Sequence, residues 1–309
     1  MTKVAIVGGA GRVGISFAFD LLVRDLVHHI ALVDINQELA EGEALDLTHA
    51  TSACGNCKIT AGGMEECEGA DIVVITAGSR RRADESRLAL INRNVGILDS
   101  TIEKLLEINR DCLLFIVSNP VDVLTYRALV ESGFPRHRVF GLGNVLDQYR
   151  FRSLLAREFG WNPTRVQVMV VGEHGDNMVP LYSQAQYDGV RFEHIEGLDM
   201  GRVQQVFEET RKSGAEVIRK KGGAGWAVGS AISRVVEAIV RDTRAVMPIS
   251  TNPDGYLGIR DICLSLPTIV GKNGVEGYFG VKMSESELAG IQKAAEVLKA
   301  TYAKIGQEE

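Results

Sequence analysis

Apolar positions along the chain follow two alternating rhythms. Short unbroken runs suit strands covered on both faces: Val4-Ala5-Ile6-Val7, Ile30-Ala31-Leu32-Val33, residues 71–76 and residues 112–117. Between them, residues 15–23, 37–50 and 88–108 carry apolar side chains at helical spacing, and 58–60 reads as a further short strand. Strand, helix, strand in this order builds a parallel sheet, because the crossovers are right-handed and place helices on its faces. The same reading gives helices over 121–131 and 145–159 around a short strand at Val139-Phe140. It then gives a strand over 165–171, helices over 198–220 and 226–241, strands near 245–249, 262–269 and 277–281, and a closing helix over 285–305. The expected fold is α/β: a Rossmann doubly wound parallel sheet in residues 1–143, followed by an α+β substrate domain in residues 144–309. No fixed-period repeat interrupts this order.

The first strand runs directly into Gly8-Gly9-Ala10-Gly11-Arg12-Val13-Gly14 and then a helix. Gly9, Gly11 and Gly14 have the spacing G-x-G-x-x-G. One glycine allows a tight turn, one lets backbone approach a pyrophosphate, and one lets the helix pack on the strand. The phosphates then meet free N–H groups at the helix N-terminus. Asp34 ends the second strand about 20 residues on, where a carboxylate accepts hydrogen bonds from the adenosine ribose and repels a 2′-phosphate. NAD is therefore expected over NADP. The alternative for Asp34 is a helix N-cap, closing a capping box with Gln37.

Composition narrows the classes. The chain has 309 residues, 45% hydrophobic and 24% charged, with a net charge of −6. Length allows two domains. The charge balance gives no field to recruit nucleic acid or an anionic membrane. No signal peptide and no apolar run near the roughly 18 residues of a membrane span is present, so a cytoplasmic setting is expected. The five cysteines fit reduced thiols. Cys54 and Cys57 form a C-x-x-C in a loop after a helix, with no second pair to complete a zinc site. They receive no function, and no metal is expected.

The candidate chemistry lies at strand ends. Thr76-Ala77-Gly78, the charged stretch 79–87 and Ser118-Asn119 follow strands, and ligands of open α/β sheets bind outside strand carboxyl ends. Asp147 and Arg150 share one helix face at i and i+3. His174 sits in the loop Gly172-Glu173-His174-Gly175-Asp176. A histidine, a carboxylate and arginines converging on a nicotinamide suit hydride transfer to a 2-keto acid. The histidine exchanges a proton with the substrate oxygen, the aspartate raises its pKa, one arginine clamps the carboxylate and another polarises the carbonyl. Plainer readings exist: an i,i+3 ion pair for Asp147 and Arg150, and core or subunit interface for the stripe Val235, Val236, Ile239 and Val240.

These segments, with Glu85-Ser86-Arg87-Leu88, Ser118-Asn119-Pro120-Val121-Asp122 and residues 146–152, resemble the lactate/malate dehydrogenase family along the whole chain. The resemblance implies His174 as acid/base, Asp147 as its partner, Arg150 as the carboxylate clamp and Arg87 as the lid arginine. It implies cofactor contacts at Gly8, Gly9, Gly11, Arg12, Val13, Gly14, Asp34, Thr76, Ala77, Gly78, Asn94, Val117 and Asn119. Asn119 also helps to bind substrate. It implies a homodimer or homotetramer.

Lactate enzymes resemble one another in having Gln six positions before Arg87, and malate enzymes in having Arg. Here the residue is Arg81, suited to the distal carboxylate of oxaloacetate. The run of three leaves Arg80 and Arg82 open for the same role. Ala224 falls where lactate enzymes carry a pocket-filling threonine. Against this, Ala83-Asp84 replaces the usual Pro-Gly of malate enzymes, and residues 85–88 have a lactate-enzyme flavour. The expectation is an NAD-dependent malate dehydrogenase of the tricarboxylic acid cycle acting on malate and oxaloacetate. The alternative is an L-lactate or other 2-hydroxy-acid dehydrogenase. An NAD-dependent glycosidase and a non-catalytic NAD-binding subunit are the further alternatives.

Overall fold

The computed structural model describes residues 2–79 and 86–307, with the side chain of Arg87 outside the description. The first half alternates β1 (Lys3–Val7), α1 (Arg12–Val23), β2 (His29–Val33), α2 (Gln37–Cys54), β3 (Lys58–Gly62), β4 (Ile72–Ile75), α3 (Arg87–Ile108), β5 (Leu113–Ile116), α4 (Val121–Ser132) and β6 (Val139–Gly141). The second half contains α5 (Val145–Phe159), β7 (Val166–Gln167), β8 (Val170–Gly172), β9 (Met178–Pro180), β10 (Gln186–Tyr187) and β11 (Val190–Arg191). It continues with α6 (Met200–Lys221), α7 (Trp226–Val240), β12 (Ala245–Thr251), β13 (Leu264–Gly271), β14 (Gly274–Tyr278) and α8 (Glu285–Tyr302).

The strands β3-β2-β1-β4-β5-β6 are parallel neighbours in that order. This is the doubly wound arrangement, with the order reversing between β1 and β4. The sheet does not stop at β6. It continues antiparallel through β12, β13, β8 and β9, with Ser250 opposite Gly141 and Ser265 opposite Gly172. Both faces are covered. Phe17, Leu21, Ile232 and Val236 of α1 and α7 pack on one side; Ile91, Leu105, Leu124 and Ile291 of α3, α4 and α8 pack on the other. Each such fully buried side chain contributes about 1.5–3 kcal/mol. The stripe Val235, Val236, Ile239 and Val240 is core, packed in the α1–α7 layer. A third cluster, including Phe151, Val166 and Phe207, fills the space beneath the small sheet β11-β10-β7.

The expected strand over 165–171 is two strands in two sheets. Val170 is buried in the third cluster and Val171 in the core of the main sheet. An unbroken apolar run looks the same whether or not the chain changes sheets within it. The strand expected at 277–281 is β14, displaced because Gly271 and Gly274 close a tight hairpin with β13. Strands β9 to β11 are two or three residues long, too short for periodicity to register.

In the glycine turn the left-handed residue is Gly8, one position before the G-x-G-x-x-G spacing. Gly8 has φ +84°, and the N–H groups of Gly8 and Gly9 donate to the carbonyl of Val33 at 2.8 and 3.1 Å. A Cβ on Gly8 would lie 2.7 Å from the Ala77 nitrogen, and one on Gly14 would lie 2.8 Å from the Gly9 Cα. Gly8→Ala is therefore expected to destabilise by about 1–3 kcal/mol through strain and clash. Thermal unfolding should begin several degrees lower, with weaker NADH binding. An unchanged midpoint and affinity would contradict this account of the turn.

Candidate active site

The carboxyl ends of β1, β4 and β5 lie side by side at one edge of the parallel sheet. Helix α1 begins at Arg12 with Gly11 as its N-cap and no side-chain cap, leaving first-turn N–H groups for a ligand. A Cβ on Gly11 would meet only the carbonyl of Gly8, so this side of the turn is open. Asp34 stands beside it: Oδ2 accepts the Ala10 N–H at 3.1 Å and Oδ1 accepts the Asn36 N–H at 3.0 Å. Asp34 is not the N-cap of α2. That place belongs to Asn36, whose side chain accepts from Leu39 at 3.2 Å. Ile35, fully exposed beside Asp34, offers an apolar surface that sequence reasoning passed over. The uncapped helix start, the open glycine face and the carboxylate at the end of β2 fit a dinucleotide.

The remaining cofactor candidates lie at or near these strand ends. Thr76 and Ala77 donate backbone N–H groups to Val7, and the Thr76 hydroxyl donates to Val7 and Gly8. Val13 and Gly14 lie in the first turn of α1, Gly78 follows β4, and Val117 bonds Ile75. Asn94 is 4% exposed, and its carboxamide bridges Ser79 to the carbonyl of Asn119. It ties the two loops together. Asn119 itself is exposed. The Arg12 guanidinium bonds the carbonyls of Lys221 and Gly223 at 2.6 and 3.1 Å, next to the half-buried Ala224. Arg80, Arg81 and Arg82 lie outside the described residues, as does the side chain of Arg87.

Asp147, in the first turn of α5, is 1% exposed. Its Oδ2 lies 2.5 Å from His174 Nδ1, and its Oδ1 accepts Arg150 Nη1 at 2.8 Å. Burial favours a neutral Asp147, but His174 and Arg150 outweigh it and hold the carboxyl below its ordinary range. Burial likewise opposes a charged imidazole, yet Asp147 outweighs it, and His174 is raised above its ordinary value. An ionised Asp147 can only accept, so Nδ1 carries a proton and Nε2 is left to exchange one. Arg150 keeps donors beyond Nη1 for an anion.

Sequence reasoning missed Asp122, which accepts the His174 N–H at 2.7 Å and the Ser250 hydroxyl at 2.6 Å. It stands in the segment 118–122 that carries the family resemblance, but no role was read for it there. The Cys54–Cys57 pair is placed differently from the expectation: Cys54 is the last residue of α2, and burial pushes the Cys57 thiol up to about 11. Both are free thiols. Among the described residues, no helix is long and apolar enough to cross a membrane.

A doubly wound sheet whose glycine turn leads into an uncapped helix start, with a carboxylate ending the next strand, defines a dinucleotide-binding protein. The sequence matches the lactate/malate dehydrogenase NAD binding domain over residues 2–141 and the family's alpha/beta C-terminal domain over 144–309. The chain belongs to the lactate/malate dehydrogenase family, and its cofactor is NAD. It is 37% identical over 97% of its length to an L-lactate dehydrogenase of Clostridium botulinum, covering 96% of that protein. To one of Gloeobacter violaceus it is 38% identical, covering 97% of this chain and 92% of the relative. The structure superposes on the ligand-bound minor L-lactate dehydrogenase of Enterococcus mundtii with a TM-score of 0.93. Identity there is 32%, with 99% of each chain covered.

These relatives overturn the malate dehydrogenase expectation and the place in the tricarboxylic acid cycle that went with it. That expectation read a second substrate carboxylate from the charge of Arg81. A cationic stretch attracts any 2-keto acid anion, with one carboxylate or two. A small residue at Ala224 permits a larger substrate without requiring one.

Asp147→Asn removes the charge that sustains the imidazolium. The His174 pKa should fall, because burial then acts without its counterweight. NMR titration of His174 checks this; an unmoved titration would contradict the role given to the pair.

Proposed function

We propose that the chain is an NAD-dependent 2-hydroxy-acid dehydrogenase whose substrate pair is pyruvate and L-lactate. What carries the chemistry is the His174–Asp147 contact with Nε2 left free beside Arg150. The names of the relatives support the substrate. In the direction of reduction, Arg150 holds the substrate carboxylate by charge-assisted bonds, and Asn119 helps to orient it. Arg87 polarises the carbonyl as negative charge develops on its oxygen, while Arg80, Arg81 and Arg82 draw the anion in. His174 Nε2 gives its proton to that oxygen, and Asp147 supports the charged imidazole beforehand. NADH, when bound, supplies the hydride to the carbonyl carbon. In reverse, neutral His174 takes the hydroxyl proton. Asp34 and the glycine turn hold the cofactor, and Ala224 forms part of the pocket wall. The division of labour falls near Gly143, with NAD on residues 1–143 and substrate on 144–309, in a homodimer or homotetramer.

Steady-state NADH oxidation with pyruvate beside oxaloacetate tests the assignment. Pyruvate should be turned over, and His174→Asn should lower kcat by about 10²–10⁴. Turnover of oxaloacetate with pyruvate untouched would overturn the reading. Protonated His174 serves reduction, so kcat/KM for pyruvate should fall as pH rises through its raised pKa. For lactate oxidation it should rise over the same interval. Two profiles bending the same way would assign the proton to another group.

A further inference from the structure

A buried carboxylate that this scheme leaves unused stands behind His174. Asp122 is 2% exposed. Its Oδ2 holds the backbone N–H of His174, and its Oδ1 holds the hydroxyl of Ser250 on β12. Across the same loop, fully buried Asn144 directs its Nδ2 to the carbonyls of Gly172 and Glu173 at 3.5 and 3.4 Å. The peptide that presents His174 is thus gripped between α4 and the N-cap of α5. A neutral acceptor would satisfy that N–H equally well and would be far less costly to bury. Burial raises the Asp122 carboxyl to about 6, although Ser250 and the His174 N–H both favour its ionised form. A carboxylate retained against that penalty, beside a side chain that must carry a proton, points to its charge.

We propose that Asp122 is a positioning residue for His174: a second carboxylate, behind Asp147, that fixes the histidine's backbone and favours its protonated ring. This rests on the acid/base role of His174 proposed above. Among the described residues, the other charged groups acting on the imidazole are Asp147 and Arg150, both from α5. Glu173, next in the chain, accepts from the backbone and side chain of Asn177. Asp122 itself faces Ser250 from β12 and the buried thiol of Cys263, whose ionisation it opposes. Asp122 favours the protonated ring, so deleting its charge weakens the hold on the proton.

Asp122→Asn keeps an oxygen for the His174 N–H and nearly the same volume while deleting the charge. Two readouts separate charge from packing. One is the pH profile of kcat/KM for pyruvate reduction. The other is the pH dependence of carbethoxylation of His174 by diethyl pyrocarbonate, which attacks the neutral ring, followed on the His174 peptide by mass spectrometry. Both midpoints should move to lower pH. On the falling arm of the profile reduction should drop about three- to tenfold, with carbethoxylation near neutral pH rising by a similar factor. Ser250→Ala keeps the charge but removes a bond that sustains it, and should move both midpoints the same way by less. This variant carries the test should Asp122→Asn fail to fold. Midpoints unmoved in the folded variants, with activity lost evenly across pH, would overturn the proposal. Carbethoxylation needs no substrate. A shifted midpoint in a chain that reduces no 2-keto acid would therefore uphold the electrostatic coupling and sink the reaction assignment.

Discussion

The contact between Asp147 and His174 is the constraint on which the arrangement depends. A carboxylate 1% exposed is tolerated only when paired, since an uncompensated buried charge costs several kcal/mol. Its partners are Arg150, one helical turn away, and His174, 27 residues further along the chain. The fold must therefore bring the first turn of α5 against the end of β8. It does so through the sheet. Strand β6 delivers the chain to α5, β12 and β13 continue the sheet antiparallel, and β8 ends beside β13. The antiparallel half is what brings His174 against Asp147 beside the parallel nucleotide-binding half.

The crevice between the halves is held by backbone-directed side chains. Asn94 ties the exit of β4 to the exit of β5. Arg12 reaches from the nucleotide turn to the carbonyls of Lys221 and Gly223, beside Ala224. Ser118 bonds the carbonyls of Ile75 and Ala77. Side-chain ties of this kind fix the loops relative to one another, as orientation-dependent chemistry requires.

The nucleotide-binding half was legible because its signals are local. Buried strands read as apolar runs, the glycine spacing lies within one turn, and Asp34 follows its strand directly. Motif and helical spacing singled out His174, Asp147 and Arg150, which the structure brings into contact. Asp122 lies in the segment 118–122, but its role went unread because its partners lie 52 and 128 residues away. The switch of sheets between β7 and β8 was hidden for a similar reason: Val166, Val168, Val170 and Val171 are all buried, though in different clusters. Substrate identity was misread from one arginine. A charge states what it can attract, whereas specificity also depends on what the whole pocket rejects.

The central claim is that Asp147 holds His174 charged, with Nε2 presented to the substrate oxygen while Arg150 takes the carboxylate. The most direct measurement is a crystal structure of the ternary complex with NADH and oxamate, a pyruvate analogue. The account requires His174 Nε2 at hydrogen-bond distance from the carbonyl oxygen of oxamate, Nδ1 still on Asp147, and Arg150 paired to the carboxylate. Oxamate bound in the crevice with His174 turned away from it, or with its carboxylate held by a different cation, would contradict the account.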